Sequence, residues 1–157
     1  MNGCDDMASN VVFESHLKDV LKATDKQLGK AAEIIRGMME TNAKEQITEA
    51  VYESPAGWYV RTGNLRNSIT GVVEKNKDGS LSIAVGSNVF YAPFVELGTG
   101  IYATEGGRQT PWKYQDANGN WHQTSGMPPR PYIRPAVENH IKDYMEVLES
   151  ELSELSD

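Results

Sequence analysis

One acidic side chain lies in an otherwise apolar stretch of the sequence. Glu96 is part of YAPFVELGTG, residues 91–100. Burial disfavours an ionised carboxylate and raises its pKa, so a glutamate in such a run could act as a general base. More often a glutamate here points outward or pairs with an arginine, and pairing is the favoured interpretation. The candidate partners are Arg61, Arg66, Arg130 and Arg134.

A glycine pattern follows Glu96 directly. Residues 98–103, GTGIYA, match G-x-G-x-x-A, and Asp116 lies near the distance at which a ribose-binding acid is sought. That fingerprint binds a dinucleotide only when a strand leads into the glycines and a helix N-terminus follows them to hold the pyrophosphate. Here the chain continues as TEGG, residues 104–107, which begins no helix. The sequence therefore predicts no cofactor.

The remaining candidates for chemistry are isolated from one another. The three histidines have no cysteine, histidine or carboxylate at metal-ligand spacing, which argues against a zinc or iron site. They are His16, His122 and His140. Thr62 and Ser68 lack a base at a recognisable spacing, so nucleophilic catalysis has no support. Cys4 is the sole cysteine, and a free thiol is favoured over a nucleophile or lipid site.

Aromatic and cationic side chains cluster between residues 112 and 123. WKY (112–114) and WHQ (121–123) flank the turn-forming DANGN (116–120), which predicts a small hairpin. Such rings stack on bases or sugars, or insert into a pocket of another protein. A third interpretation is a hairpin folded back over its own core. The predicted protein-interaction residues are Trp112, Lys113, Tyr114, Trp121 and Arg130.

Charge and length narrow the class of protein. The net charge of −7 favours protein partners over nucleic acid, because phosphate binding relies on an excess of lysine and arginine. The N-terminus is acidic where a signal peptide would be basic, and no apolar stretch approaches membrane-spanning length. We expect one domain over residues 1–157, with residues 1–12 as a flexible tail, made in the cytosol.

The longest periodic segment extends from Leu17 to Val51. Its apolar residues keep to one helical face, which predicts a long helix or two helices in line. Thr24 and Asp25 resemble an N-cap, so a break near Thr24 stays open. A continuous helix would be about 50 Å long, more than a globule of this size covers on one side. Part of it is therefore expected to contact something outside its own subunit.

Alternating patterns over residues 69–74 and 81–85, with a turn between them, predict an antiparallel hairpin. Pro93 suits the first position of a helix and Gly98 its end, which predicts a short helix. Residues 99–130 predict an extended loop with the aromatic hairpin, which is marginal alone and ordered by a partner. A C-terminal amphipathic helix completes an α+β fold, with helices on one face of a small antiparallel sheet and a projecting hairpin loop.

Three stretches in this order resemble a known family. They are RTGNLRNSI (61–69), YAPFVELGTG (91–100) and RPYIRPAVENH (130–140). Behind a long helix, and over roughly residues 15–155, they resemble the tail-component or head–tail morphogenesis (tail-completion) family of tailed double-stranded-DNA bacteriophages. The matching positions are Thr62, Gly63, Leu65, Ser68, Tyr91, Glu96, Gly98, Thr99, Pro131, Arg134 and Pro135. The long insert between Thr99 and Pro131 departs from the family pattern.

The resemblance implies a non-enzymatic virion subunit without a cofactor. It would work as a homo-oligomeric ring near the junction of head and tail and contact neighbouring tail-tube or connector proteins. It would be assembled in the host cytoplasm and meet nucleic acid only as the packaged genome in the lumen. Two rival hypotheses are a single-stranded nucleic-acid-binding module that uses the aromatic hairpin and a small enzyme that uses Glu96.

Overall fold

The computed structural model describes residues 5–53, 61–116 and 118–155. The helices are α1 (Asp5–Ile47), α2 (Asn64–Asn67), α3 (Ala92–Leu97), α4 (Ile133–Glu138) and α5 (Ile141–Ser153). The strands are β1 (Ile69–Lys75), β2 (Leu81–Ser87), β3 (Trp112–Gln115) and β4 (Trp121–Thr124). A π-helical turn, Thr48–Tyr52, continues α1, and a 3-10 turn, Gly100–Tyr102, follows α3. The predicted α+β class is confirmed.

Helix α1 is continuous over 43 residues, which gives it a length of about 65 Å. No break occurs at Thr24, whose hydroxyl does not cap a helix but donates a hydrogen bond to the Val20 carbonyl one turn earlier, at 2.9 Å. The helix begins at Asp5 and so includes residues 5–12, for which the sequence predicts a flexible tail. The flexibility of that segment stays a prediction.

One face of α1 forms the centre of the core. Ala31, Ile35, Met39, Ala43 and Ile47 are buried and lie four residues apart, so they follow one side of the helix. The alanines let neighbouring elements approach the α1 backbone closely, while the larger side chains fill the space between them. The apolar periodicity of the sequence therefore predicts the buried face correctly.

Strands β1 and β2 form an antiparallel hairpin that packs its inner face on α1. The inner face includes Ile69, Ile83 and Val85, which join the two clusters of the core. Gly71 lies where α1 comes nearest to β1: a Cβ atom there would be 2.7 Å from Cγ of Arg36. A residue with a side chain would therefore push the strand away from the helix.

The C-terminal helix predicted as one element is divided into α4 and α5. At the junction Asn139 N–H still donates to the Pro135 carbonyl four residues earlier, whereas His140 N–H donates to the Val137 carbonyl three residues earlier, at 3.4 Å. The Ala136 carbonyl instead accepts a hydrogen bond from the Tyr144 hydroxyl, at 2.7 Å. A buried tyrosine thus satisfies a backbone group that the break leaves available, and the prediction of an uninterrupted helix is wrong.

Helix α5 runs antiparallel to α1. Asn42 of α1 donates to the Tyr144 hydroxyl at 2.8 Å, and Lys30 pairs with Glu151 at 2.7 Å nearer the end of the chain. Further toward its N-terminus, α1 exposes Val20 and Leu21, so its apolar stripe continues beyond the part that α5 covers. That this segment contacts something outside its own subunit stays a prediction.

Strands β3 and β4 form a second two-stranded antiparallel sheet in the insert. Their extensive contacts among the described elements are with each other. The predicted projecting hairpin loop is therefore confirmed, and the interpretation as a hairpin folded back over its own core is not supported.

Candidate functional site

The Glu96 carboxylate binds the N-terminus of α4. Its Oε2 accepts hydrogen bonds from the backbone N–H groups of Tyr132 and Ile133, at 2.6 and 2.9 Å. Its Oε1 accepts one from the backbone N–H of Arg134, at 3.0 Å. The first amides of a helix have no partner within the helix and attract a negative charge, so this carboxylate caps α4 from 36 or more residues away in sequence.

This geometry corrects the favoured interpretation of Glu96. Among the described residues, its ionic oxygens contact backbone amides, and Arg134 contributes its N–H rather than its guanidinium. The capped residue Tyr132 is 1% exposed. Burial, and then the nearby Glu96 carboxylate, raise the pKa of the Tyr132 phenol to about 12. The carboxylate therefore positions α4 through three backbone hydrogen bonds.

The glycine pattern after Glu96 joins the two ends of the insert. Thr99 and Met127 exchange backbone hydrogen bonds of 2.9 and 3.2 Å, so the chain leaves and re-enters the body at one point. Gly100 has φ +63°, and a Cβ there would be 1.9 Å from the Ser125 carbonyl oxygen. A Cβ at Gly126 would be 2.0 Å from the Thr99 carbonyl oxygen. These glycines permit a backbone crossing.

The aromatic hairpin has two different faces. Trp112 and Tyr114 lie on one face of β3, where Tyr114 stacks on His122 with ring centroids 5.4 Å apart. The guanidinium of Arg108 lies over the Trp112 ring at 5.6 Å, a cation–π contact. The other face carries Lys113 and, diagonally across the strands, an exposed Trp121.

The predicted interaction cluster is therefore divided. Trp112 and Tyr114 are half-buried in ring contacts within the insert, whereas Trp121 is 68% exposed. Arg130 does not lie in the hairpin: its backbone N–H donates to the Val95 carbonyl at 2.8 Å, where the insert rejoins α3. Lys113 and Trp121 are the members of the set that share a solvent-facing surface, and interaction through it stays a prediction.

The turn of this hairpin contains a histidine–carboxylate hydrogen bond that the histidine spacing did not reveal. Asp116 Oδ2 lies 2.9 Å from His122 Nε2, and Oδ1 accepts the backbone N–H groups of Asn118 and Asn120. The hydrogen bond with His122, and then the Asn120 amide, lower the pKa of Asp116 to about 2. His140 likewise lies 3.0 Å from Asp143. Each pair is a histidine–carboxylate contact between residues near in sequence.

The first motif forms a capped turn on the core. Gly63 has φ +77° at the start of α2, and Leu65 is buried in the same cluster as Ile47 and Tyr132. The Ser68 hydroxyl donates to the Leu65 carbonyl and lies 2.7 Å from the Ser87 hydroxyl, which connects α2 to the end of β2. Thr62 accepts the Asn64 N–H at 3.4 Å. These contacts give the motif a structural role.

The other motif positions frame a shallow depression of about 270 Å³ beside the Glu96 cap. Its lining includes Pro131, Arg134 and Pro135, so the third motif lies at the surface next to the second. Tyr91 precedes α3 and packs against the core, with its ring edge-on to Phe90 at 5.4 Å. Among the described residues, no three potential metal ligands lie together, and no helix is long and apolar enough to cross a membrane.

Exposed apolar side chains concentrate around α3. Phe90 is 83% exposed, and four more large apolar side chains within the next twelve residues are exposed at about half that fraction. We call this the 90–102 surface; it comprises Phe90, Phe94, Leu97, Ile101 and Tyr102. The sequence pattern predicts the short helix but not this exposed surface. The spacing of Phe90, Phe94 and Leu97, four and then three residues apart, could have indicated it.

Comparison with known proteins gives one family. A family model described as "Bacteriophage HK97-gp10, putative tail-component" matches residues 12–98, which is more than half of the chain. The match contains the first motif, residues 91–98 of the second, the hairpin β1–β2 and most of α1, and it ends where the insert begins. Neither a curated protein nor a solved structure matches the chain. The chain thus belongs to the HK97 gp10-like family of bacteriophage tail components.

Proposed function

We propose that this tail component is a tail-completion or head–tail joining subunit that acts as a homo-oligomeric ring. It is assembled in the host cytoplasm and carried in the virion, where it contacts tail-tube or connector proteins and meets nucleic acid only as genome passing through the lumen. The family match supports a structural tail protein. The observation that carries the finer assignment is the 90–102 surface.

The 90–102 surface has the composition of a protein interface. Phenylalanine, tyrosine and other large apolar side chains dominate the buried centres of interfaces, and a group of exposed apolar side chains indicates a binding site. The segment is also held firmly, because α3 is connected by the Glu96 cap to α4 and by the Gly98–Gly100 crossing to the base of the insert. A fixed apolar surface requires little ordering when a partner binds.

The long helix α1 supplies a second uncovered region at the other end of the molecule. Its apolar face is buried from Ala31 onward, whereas Val20 and Leu21 are exposed. The 90–102 surface lies near the C-terminal end of α1, because Ala92 packs in the cluster that contains Ile47. Two different uncovered regions at opposite ends of a subunit suit head-to-tail contacts, which close into a ring when the rotation between copies allows it.

The motif residues support a non-enzymatic role. The glutamate, the glycines and the serine that sequence reasoning considered for chemistry make hydrogen bonds or close backbone contacts within the fold. Glu96 caps a helix, the glycines permit a close backbone crossing, and Ser68 connects α2 to the end of β2. A structural tail component uses such residues to hold its assembly surfaces in place.

The test replaces two exposed phenylalanines and follows incorporation into particles. Phe90→Ser with Phe94→Ser should leave the melting temperature of the free subunit within about 2 °C, because both rings are exposed in it. Losing two apolar anchors should reduce the copy number in purified virions at least tenfold, a change that needs about 1.4 kcal/mol. Mass spectrometry of complemented phage particles measures that copy number.

Val72→Ser is the matched control, because Val72 is exposed on the outer face of β1. It should enter particles at the wild-type level. If the wild-type chain is missing from virions, the proposed function is wrong. If the double variant enters at the wild-type level, the 90–102 surface is not the assembly site.

A further inference from the structure

Among the residues that the structure describes, the hairpin β1–β2 has one open edge. The register pairs Gly71 with Val85, and the Gly71 N–H donates to the Glu40 carboxylate at 3.2 Å rather than to β2. In an antiparallel pair, residues alternate between exchanging hydrogen bonds with the partner strand and pointing their main-chain groups away from it. Val85 and Ile83 therefore direct their N–H and C=O groups out of the free edge of β2.

The two edges of this hairpin differ in protection. The β1 edge is covered by the Glu40 carboxylate and ends in Glu74 and Lys75. The β2 edge, LSIAVGS (81–87), has no charge and no proline, and α1 and β1 are the elements that contact β2 extensively in the described chain. Natural sheets protect free edges with charges, prolines or bulges, so an unprotected edge of seven residues is a template for another strand.

We propose that the β2 edge receives strand β4 from a second copy of this chain, which makes a four-stranded sheet across the contact between two subunits. This inference rests on the ring proposed above. The second copy offers a projecting two-stranded hairpin with free edges, and such a hairpin gains stability by pairing. Each copy then gives one hairpin and receives one, as a head-to-tail contact requires.

The register of β3 and β4 predicts which side chains the pairing buries. Asp116 N–H donates to the Asn120 carbonyl, so by alternation Trp121 and Gln123 direct their main-chain groups outward from β4. Residues that exchange hydrogen bonds lie opposite each other and share a face. Trp121 would therefore extend the face formed by Ile83 and Val85 and lose its exposure.

Charge favours the same arrangement. Ile83 and Val85 pack against a buried cluster that Leu148 of α5 also borders. Helix α5 carries one lysine against one aspartate and three glutamates, and Glu146 and Glu149 are exposed. The hairpin face with Trp121 carries Lys113 and no acidic residue. The cation and the apolar ring of a neighbour's hairpin thus complement the acidic charge and the exposed Met145 of α5.

The test compares variants that remove one outward N–H group with controls that keep it. Ile83→Pro removes an N–H from the accepting edge, and Ile83→Ala keeps it while losing more of the side chain. Gln123→Pro and Gln123→Ala form the same pair on the donating strand, at an exposed site where loss of folding of the core is not expected. Trp121→Ala removes the proposed anchor. Analytical ultracentrifugation over a concentration series measures association of the full chain.

We expect both proline variants to lose self-association while both alanine controls stay within about threefold of wild type, and Trp121→Ala to weaken association about 30-fold. A mixture of Trp121→Ala and Ile83→Pro subunits should form dimers that do not grow, because each partner retains one intact surface. Circular dichroism checks folding, and the Gln123 pair decides the matter if Ile83→Pro unfolds.

Three results would overturn this pairing. Proline variants that associate as strongly as their alanine controls would show that the subunits do not pair through these strand edges. Loss of self-association in Ile83→Pro, but not in Gln123→Pro or Trp121→Ala, would indicate a dimer in which β2 pairs with β2 of the second copy. Salt-dependent binding of oligo(dT) that Trp121→Ala abolishes, with association unchanged, would assign the hairpin to nucleic acid. If the wild-type chain associates neither in solution nor in particles, the proposed ring is excluded. That result differs from the three above, which exclude the strand pairing and leave the ring in place.

Discussion

The Glu96 cap gives the most direct test of how the family motifs stabilise the fold. Glu96→Ala removes the acceptor for three backbone N–H groups, those of Tyr132, Ile133 and Arg134. The Glu96 side chain is half-buried, and Tyr132 is buried. Water therefore cannot fully replace the carboxylate, and at least one amide is left without a partner in a buried position.

The expected loss follows from two contributions. A helix cap contributes about 1 kcal/mol to the free energy of unfolding, and a buried amide without a partner costs about 1–3 kcal/mol. Together they predict a loss of about 3 kcal/mol for Glu96→Ala. For a chain of this size each kcal/mol lowers the melting temperature by about 2–4 °C, so the expected decrease is about 6–12 °C. Glu96→Gln keeps one acceptor oxygen and should lose about half as much.

Thermal unfolding followed by circular dichroism at 222 nm, with urea unfolding at 25 °C, measures both variants. Glu105→Ala is the matched control, since Glu105 is an exposed glutamate of the insert. It should stay within about 1 °C of wild type. A Glu96→Ala protein that melts within the same margin would refute the capping argument and reopen a chemical role for the carboxylate.

Four further predictions follow from the contacts of individual residues. Leu148→Asp places a charge in the cluster between α1 and α5 and should unfold the domain; an unchanged melting temperature would mean that another face is buried. Gly100→Ala should destabilise the protein by more than about 2 kcal/mol in urea unfolding, whereas Gly37→Ala, with open space around it, should stabilise α1 by up to about 1 kcal/mol. The pKa of Asp116 is lowered in the folded hairpin, so its contribution is present above pH 4 and lost as the pH falls through about 2; tryptophan fluorescence should follow this, and Asp116→Asn should remove it. Amides of residues 100–128 should exchange quickly in the free subunit and slowly in particles, and equal exchange would contradict docking of the insert.

Local sequence patterns predicted the elements that depend on local physics. The face of α1 from Ala31 to Ile47 follows from apolar residues that recur every four positions, and the inner faces of β1 and β2 follow from alternation. The short helix α3 follows from Pro93 and Gly98, which suit its beginning and end. These features need no knowledge of what lies opposite them.

The errors concern contacts that a local apolar pattern does not encode. The acceptor role of Glu96 depends on amides 36 to 38 residues later, and no local pattern distinguishes such a cap from an arginine pair. The break between α4 and α5 depends on the Tyr144 hydroxyl reaching the Ala136 carbonyl, a contact that an apolar repeat cannot encode. The division of the aromatic hairpin into two faces depends on a register that the turn fixes only when the strands pair.

The three motifs meet in one place. This explains why residues whose types could take part in catalysis or cofactor binding have structural roles here. Leu65 and Ile69 of the first motif, Ala92 of the second and Tyr132 of the third share one buried cluster with Ile47. The Glu96 cap and the Gly100 crossing close that cluster on the side of the insert. The motifs thus build a buried junction, and the 90–102 surface and the insert extend from it. Because the junction is fixed by buried contacts, sequence changes in the hairpin or the 90–102 surface can alter the partner without altering the fold.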